Sequence, residues 1–379
     1  MEYLILLCLI FIFWFISGIS VQSIEKKSRG YACYSQFDET GNRIFGYRVN
    51  KRIFIIVFVF LILFVGCRGI SVGWDTVEYY SLFNKLSNLS SLKELLLYKL
   101  NGYTSQEWGF LLYTWICGKV LNFQLYLLIA ATVYMIPMAI YIYRYSDDVF
   151  LGIFLFVTYG MYIFSFSTIR QSMAMGLCMI AILMEEERRI WKYVFFIIIA
   201  VFVHRTALIF IPAIFFKKIR VNKISIVSII VTAMLFYHFR SSILQFLLGY
   251  ARNTGAYIET GGTLQYLFIL GILVLGVINL KKFILTNPER KRNQFLFVCI
   301  CMVAVLFPVL KQNPTYFRLY YFYYMYMVVY IPNMLSSYSN QQIRWLIKVG
   351  LFILGIYMYY KQIVLTNNPL LPYHFFWNN

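Results

Sequence analysis

Acidic side chains are scarce in this chain: 379 residues hold 15 Asp and Glu against 34 Lys and Arg, and charged residues of both signs make up 13%. A soluble domain carries roughly a quarter. So little charge, with 61% apolar residues and a mean hydropathy of +0.69, excludes a water-soluble globule, because a folded chain this size still exposes much of its surface. It excludes a disordered chain equally. Histidine occurs three times (His204, His238, His374), and the seven cysteines (Cys8, Cys33, Cys67, Cys117, Cys178, Cys299, Cys301) show no metal-ligand spacing. No metal and no cofactor is expected. The cysteines sit mostly within or at the ends of apolar runs and read as small packing residues, which excludes a disulfide-stapled secreted domain. There is neither a Gly-rich phosphate loop nor a nucleophile elbow.

What the chain does have is apolar sequence in lengths suited to a bilayer. A hydrocarbon core of roughly 30 Å takes about 20 apolar residues per helix. Runs recur at 3–21, 53–69, 123–143, 149–167, 171–184, 224–240, 264–280, 295–310, 319–335 and 345–360, with shorter pieces at 108–122 and 193–216. Barrel strands would alternate in segments of about ten residues, and no internal repeat is visible. The expected fold is an all-α polytopic transmembrane bundle of about 10–13 membrane segments, one integral-membrane domain over 1–379. The first run leads into Glu25, Lys26 and Lys27 with no small-residue cleavage motif, and reads as a retained helix.

Basic residues set the topology. Loop 22–52 carries Lys26, Lys27, Arg29, Arg43, Arg48, Lys51 and Arg52, which places it in the cytoplasm. With 108–122 re-entrant or lying on the outer surface, the loops 22–52, 144–148, 185–192, 217–223, 281–294 and 340–348 are cytoplasmic and hold 22 of the 34 Lys and Arg. If 108–122 crosses, the split becomes 15 inside and 19 outside. The first arrangement is preferred. It leaves outer loops at 70–107 and 241–263, and makes 193–216 a short hairpin with arms of about 12 residues, about 18 Å at 1.5 Å per residue. The hairpin tip, His204-Arg205, then sits in an outward-opening cavity. The net charge of +19 is thus a topology signal, and nucleic acid is not expected as a partner.

Several charged residues fall on the outer side at or inside helix ends, where they are costly and mark sites or pathways. Arg68 ends one run, Arg170 and Gln171 sit at an outer turn, Arg205 at the hairpin tip, and Arg318 opens a tyrosine-rich run. Each arginine could snorkel to headgroups; converging, they would form a cationic pocket suited to a diphosphate. Asp75, early in the outer loop, could take a proton from a hydroxyl or cap the helix starting at Thr76. Glu107 is a second acid or base, or a favourable charge at a helix N-terminus. The tyrosines Tyr316, Tyr320, Tyr321, Tyr323, Tyr324, Tyr326 and Tyr330 suit an interfacial belt or a sugar-stacking groove.

In order along the chain, Arg68-Gly-Ile-Ser-Val-Gly-Trp-Asp75-Thr76 with Tyr79, Tyr80 and Phe83, then Glu107-Trp-Gly-Phe110, Ile169-Arg170-Gln171-Ser-Met-Ala174, His204-Arg205-Thr206-Ala207, Arg318 and the ending Asn368-Pro369 to Pro372-Tyr373 resemble the motifs of the EpsG/Wzy-like polysaccharide polymerases. Trp108 stands where that family usually has Pro. The resemblance spans about 65–375. It implies an integral-membrane glycosyltransferase that joins a polyprenyl-diphosphate-linked glycan, such as an undecaprenyl one, to a lipid-linked repeat unit. The reaction would occur on the outer, periplasmic-side face of a bacterial cytoplasmic membrane, building O-antigen of lipopolysaccharide, capsule or exopolysaccharide. The layout is also similar to the GT-C glycosyltransferases, with an early outer-loop Asp. Implied partners are the two lipid-linked glycans, membrane lipids and a chain-length-regulating co-polymerase. The alternatives are a ligase or another polyprenyl-dependent transferase, or a lipid-linked oligosaccharide flippase. The implied roles are Arg170, Arg205 and Arg318 on the diphosphate, Arg68 on the second headgroup, Asp75 as base, and His204 as hydrogen-bond donor or alternative base. Gln171, Tyr79, Tyr80 and Tyr320 would bind sugar or acceptor.

The charge split predicts that, in a cysteine-free background, a cysteine at Ser90 is labelled by an impermeant maleimide from outside the cell and one at Asn287 is not.

Overall fold

A bilayer offers backbone groups no water, so each N–H and C=O must pair within its own segment, and long apolar runs become helices. The computed structural model, which describes residues 2–9, 11–12, 36–37, 43–44, 51–186, 189–251, 262–365 and 369–378, follows that rule. The chain is an all-α polytopic helical bundle. Most of loop 22–52, the end of the first run, Arg188, Arg252, Glu259 and Asn368 lie outside the described residues.

The helices that matter below are α1 (Lys51–Gly66), α2 (Thr76–Ser87), α3 (Leu92–Leu100), α4 (Trp108–Val120), α5 (Phe123–Tyr145), α6 (Val149–Thr158), α7 (Met161–Ser167), α8 (Ile169–Glu186) and α9 (Ile190–Val203). A 3-10 segment, Arg205–Lys218, follows, then α10 (Lys223–His238), α11 (Arg240–Ala251), α12 (Thr263–Ile278), α13 (Arg290–Leu310), α14 (Met327–Ser336) and α15 (Gln341–Tyr360). The chain divides into two compact units, Met1–Leu208 with Lys348–Asn379, and Ile209–Ile347.

The apolar runs are cut more finely than their lengths suggest. Among the described residues three helices are long and apolar enough to cross singly: Phe123–Tyr145, Arg290–Leu310 and Gln341–Val364. Two more candidates are bent pairs, α6 with α7 at 43° and α10 with α11 at 73°. That is fewer unbroken spans than the segment count read from hydropathy. At 149–167 the break is Gly160, whose φ of 95° no helix accommodates. Residues 241–251, expected in an outer loop, are helical in α11. The expected hairpin also differs. Its second arm is 3-10 rather than α, so 14 residues rise about 28 Å at about 2 Å each, well beyond the expected reach.

In the first unit, α5 and α8 cross with almost no side chain between them. A Cβ at Gly176 would lie 2.2 Å from the Val133 carbonyl oxygen. Between helices in lipid, packing must come from such close backbone approach. Helix α2 lies along α4, where Tyr79, Phe83, Phe110, Phe123 and Tyr126 form an aromatic core. Asp148 and Lys348, from two loops assigned to the same side of the membrane, form an ion pair at 2.6 Å.

In the second unit five of the seven tyrosines of the run are core, neither belt nor groove, while Tyr316 and Tyr321 are half-buried. Tyr320, Tyr323, Tyr324, Tyr326 and Tyr330 have no exposed surface. Their ring carbons pack against Phe210, Phe283, Phe295 and Phe307, while Tyr323 and Tyr330 donate to the carbonyls of Ile209 and Ile272. A phenol can be buried this deeply once its hydroxyl finds a backbone acceptor.

The α5–α8 crossing generates a test. Gly176→Ala forces those helices apart and should cost about 1–3 kcal/mol, lowering the thermal midpoint and monodisperse yield. Gly271→Ala, with nothing within 4 Å of its added methyl, should be neutral or better.

Candidate functional site

Three helix ends in the first unit meet at one carboxylate. Glu107 is the residue before α4, Arg170 lies in the first turn of α8, and His204 follows the last residue of α9. Glu107 Oε2 accepts from Arg170 Nη1 at 2.7 Å; Oε1 lies 3.0 Å from His204 Nδ1 and accepts from the Arg205 backbone N–H at 3.2 Å. The three side chains are mostly buried, at 13% (Glu107), 25% (Arg170) and 15% (His204) exposure. Glu107 makes no capping bond to its own helix, so its charge serves these partners.

Local sequence explains why they can meet. Gly109, two residues into the Glu107 motif, lets α4 press against the end of α9: a Cβ there would sit 2.7 Å from the Phe202 carbonyl oxygen. That contact brings Glu107 to His204. Phe110, one residue on, lies beneath the Arg170 guanidinium, 5.8 Å from ring centre to Cζ. Tyr79 of α2 packs edge-on against Phe110 and its hydroxyl hydrogen-bonds Arg170.

Burial pushes the Glu107 carboxyl up, but the His204 bond and the His204 and Arg170 charges outweigh it, holding the pKa at about 2. An ionised carboxylate only accepts, so His204 Nδ1 carries the hydrogen of this contact, and in the neutral ring that leaves the lone pair on Nε2. Nε2 has no hydrogen-bond partner among the described residues. Two further polar atoms, Arg170 Nε and Thr206 Oγ1, are buried with no hydrogen-bond partner among the described residues. The Arg205 side chain is exposed and makes no hydrogen bond there either. The site therefore combines an oriented imidazole with guanidinium donors that an anion's oxygens could engage.

Asp75 stands one turn along α2 from this cluster, since its carbonyl accepts the Tyr79 N–H at 3.0 Å and the two share a helix face. It occupies the N-cap position of α2, yet its carboxylate makes no capping bond. Thr76 Oγ1 instead donates to the Val72 carbonyl at 2.8 Å.

The other expected residues divide. Arg68 is 1% exposed and its guanidinium donates to three backbone carbonyls: Val65 at 2.6 Å, Phe166 at 2.9 Å and Val72 at 3.2 Å. It therefore holds a loop together, with no free face for a headgroup. Gln171 is buried beside Arg170 in the sequence, and Tyr80 is half-buried, edge-on to Phe123. Tyr320 is fully buried in the second unit, its hydroxyl accepting from Gln265 Nε2 at 2.8 Å, which leaves no ring face for a sugar. Arg318, half-buried, also belongs to the second unit.

Sequence reasoning marked the ending Pro369 to Tyr373 as a motif but missed its partner, the Arg68 loop. Gly69 N–H donates to the His374 carbonyl at 2.9 Å, Phe376 N–H to Cys67 at 3.0 Å and Gly73 N–H to Pro369 at 3.1 Å. Ser71 Oγ and His374 Nε2 are 2.9 Å apart. Tyr373 stacks on Phe64 at 4.3 Å and donates to its carbonyl. No local sequence signal announces these contacts. The same loop bears on segment 108–122. Helix α4 starts beside Arg170, and α5 begins where Gln124 Nε2 donates to the Arg68 carbonyl at 3.2 Å. Arg68 in turn bonds Phe166, four residues before Arg170. The start of α4 and the start of α5 are thus both tied to residues around this loop.

Residues 51–375 match the family model described as the EpsG family. No curated protein matches the chain, and no solved structure does.

Because the Glu107 pKa is depressed from the ordinary 4.5 to about 2, its bonds stabilise the fold fully above about pH 4.5 and are lost as pH falls toward 2. In detergent, the wild-type thermal midpoint should drop across that window, and Glu107→Gln should start lower and drop less.

Proposed function

Since the chain belongs to the EpsG family, we propose that this multi-pass membrane protein is a polysaccharide polymerase. It transfers a polyprenyl-diphosphate-linked glycan to a hydroxyl of a second lipid-linked repeat unit, on the outer face of a bacterial cytoplasmic membrane. The observation that carries the reading is the meeting of Arg170, His204 and the Arg205 N–H on Glu107. Three motifs far apart in sequence build one site of an anion-binding and proton-accepting kind.

In the proposed reaction the acceptor oxygen attacks the anomeric carbon as the bond from that carbon to the diphosphate oxygen breaks. The diphosphate leaves with the electron pair. Arg205, exposed and unpaired, and the unsatisfied Nε of Arg170 stabilise the charge that grows on it. The acceptor proton goes to His204 Nε2 or to the Asp75 carboxylate. Glu107 is a positioning residue: it fixes the imidazole tautomer and orients Arg170. Tyr79 steadies the same guanidinium from α2, and Tyr80 lies close along the helix to meet acceptor sugar. Arg68 and the C-terminal residues hold the loop that carries Asp75.

Mixing purified protein with lipid-linked repeat units should give a ladder of elongated products. Arg170→Ala, Arg205→Ala and Asp75→Ala should each abolish long products while still inserting in the membrane. His204→Ala should slow elongation roughly 10²–10⁴-fold if it is the base. Normal ladders from all four variants would refute the site.

A further inference from the structure

A second concentration of charge lies within the second unit. Lys217, Lys218 and Arg220, at and just beyond the end of the 3-10 segment, and Arg290, Lys291 and Gln294, from the first turns of α13, line an open depression of about 450 Å³. Gln294 fixes the two segments to each other: buried, it donates from Nε2 to the Lys217 carbonyl at 2.8 Å.

The charges there are not balanced. Lys218, Arg220, Arg290 and Lys291 have no acidic partner among the described residues. The first turn of α13 contains no acid, and Glu289, which precedes it, is bonded to Arg292 at 3.0 Å. Arg290 and Lys291 therefore add positive charge to the positive end of a helix dipole, an arrangement that repels itself unless an anion lies against it. The positive-inside rule requires basic residues in these loops. It does not require five of them to face one depression.

What surrounds the depression indicates the source of the anion. Phe215 (58% exposed) and Ile219 are exposed apolar side chains on the segment that carries Lys217, Lys218 and Arg220. The Lys218 ammonium lies 5.7 Å over the Phe215 ring. Cations set directly against outward-facing hydrocarbon match the boundary between lipid headgroups and acyl chains. We propose that this depression is a binding site for the phosphodiester headgroup of an anionic phospholipid. Lys218, Arg220, Arg290 and Lys291 engage the phosphate oxygens, and the acyl chains lie along Phe215 and Ile219. The site is separate from the Glu107 cluster and does not rest on the polymerase reading.

The test uses the full chain in mixed micelles titrated with phosphatidylglycerol or with phosphatidylcholine, reading the thermal midpoint. Phosphatidylglycerol should raise the midpoint and phosphatidylcholine should not. The effect should weaken with added NaCl. Arg220→Gln/Arg290→Gln should need about tenfold more phosphatidylglycerol for half the effect, a few-fold for each cation removed; Arg220→Lys/Arg290→Lys should stay within about threefold of wild type. Equal action of the two lipids on the wild type, or no effect of salt, would overturn the proposal without any variant. An unchanged titration in the Gln variant would do the same. If inorganic phosphate at matched concentration raises the midpoint as much as the lipid, the ligand is a free anion and the lipid assignment fails.

Discussion

In a chain with so few acids, a carboxylate placed among cations dictates much of its surroundings, and Glu107 does this for the first unit. One oxygen holds Arg170 and the other serves the turn after α9, so three helix termini are set relative to one another by a single side chain. A mostly buried charge of this kind is tolerable only while its partners stay in place. Removing one member leaves an uncompensated charge, which is commonly worth several kcal/mol. The aromatic core between α2 and α4 supplies the rigidity, the carboxylate the register.

That arrangement also separates the tasks of the basic residues. Arg68, Arg170 and Arg205 look alike in sequence, each beside an apolar run. Their environments differ: Arg68 is consumed by carbonyls, Arg170 is shared between Glu107 and Tyr79, and Arg205 is left open. An arginine whose three nitrogens each bond a backbone carbonyl is a clamp. One with donors to spare is suited to a ligand.

Much of this was legible beforehand because the signals are local or additive. Hydropathy marked the helices, and the distribution of Lys and Arg placed Glu107, Arg170 and His204-Arg205 on the same side, where the structure joins them. The finer division of spans was not legible, since a bend at Gly160 or a 3-10 arm after His204 depends on backbone conformation that apolar composition does not encode. The tyrosine run was misread for a related reason: a phenol suits an interface or a core equally, and only the backbone acceptors at Ile209 and Ile272 decide. The partner of Glu107 lies 63 residues away at Arg170 and 97 away at His204, and no spacing rule links them.

The loop ahead of Asp75 is stitched to residues 369–376, and Ser71 meets a histidine 303 positions downstream. Such a closure has a temporal meaning. During synthesis the early helices must wait, already in the bilayer, with that loop unsecured until residues 369–376 have been translated. Assembly of this corner therefore follows synthesis of every helix between Lys51 and Tyr360, and a nascent molecule stalled before residue 369 would carry the Glu107 cluster without a finished neighbour.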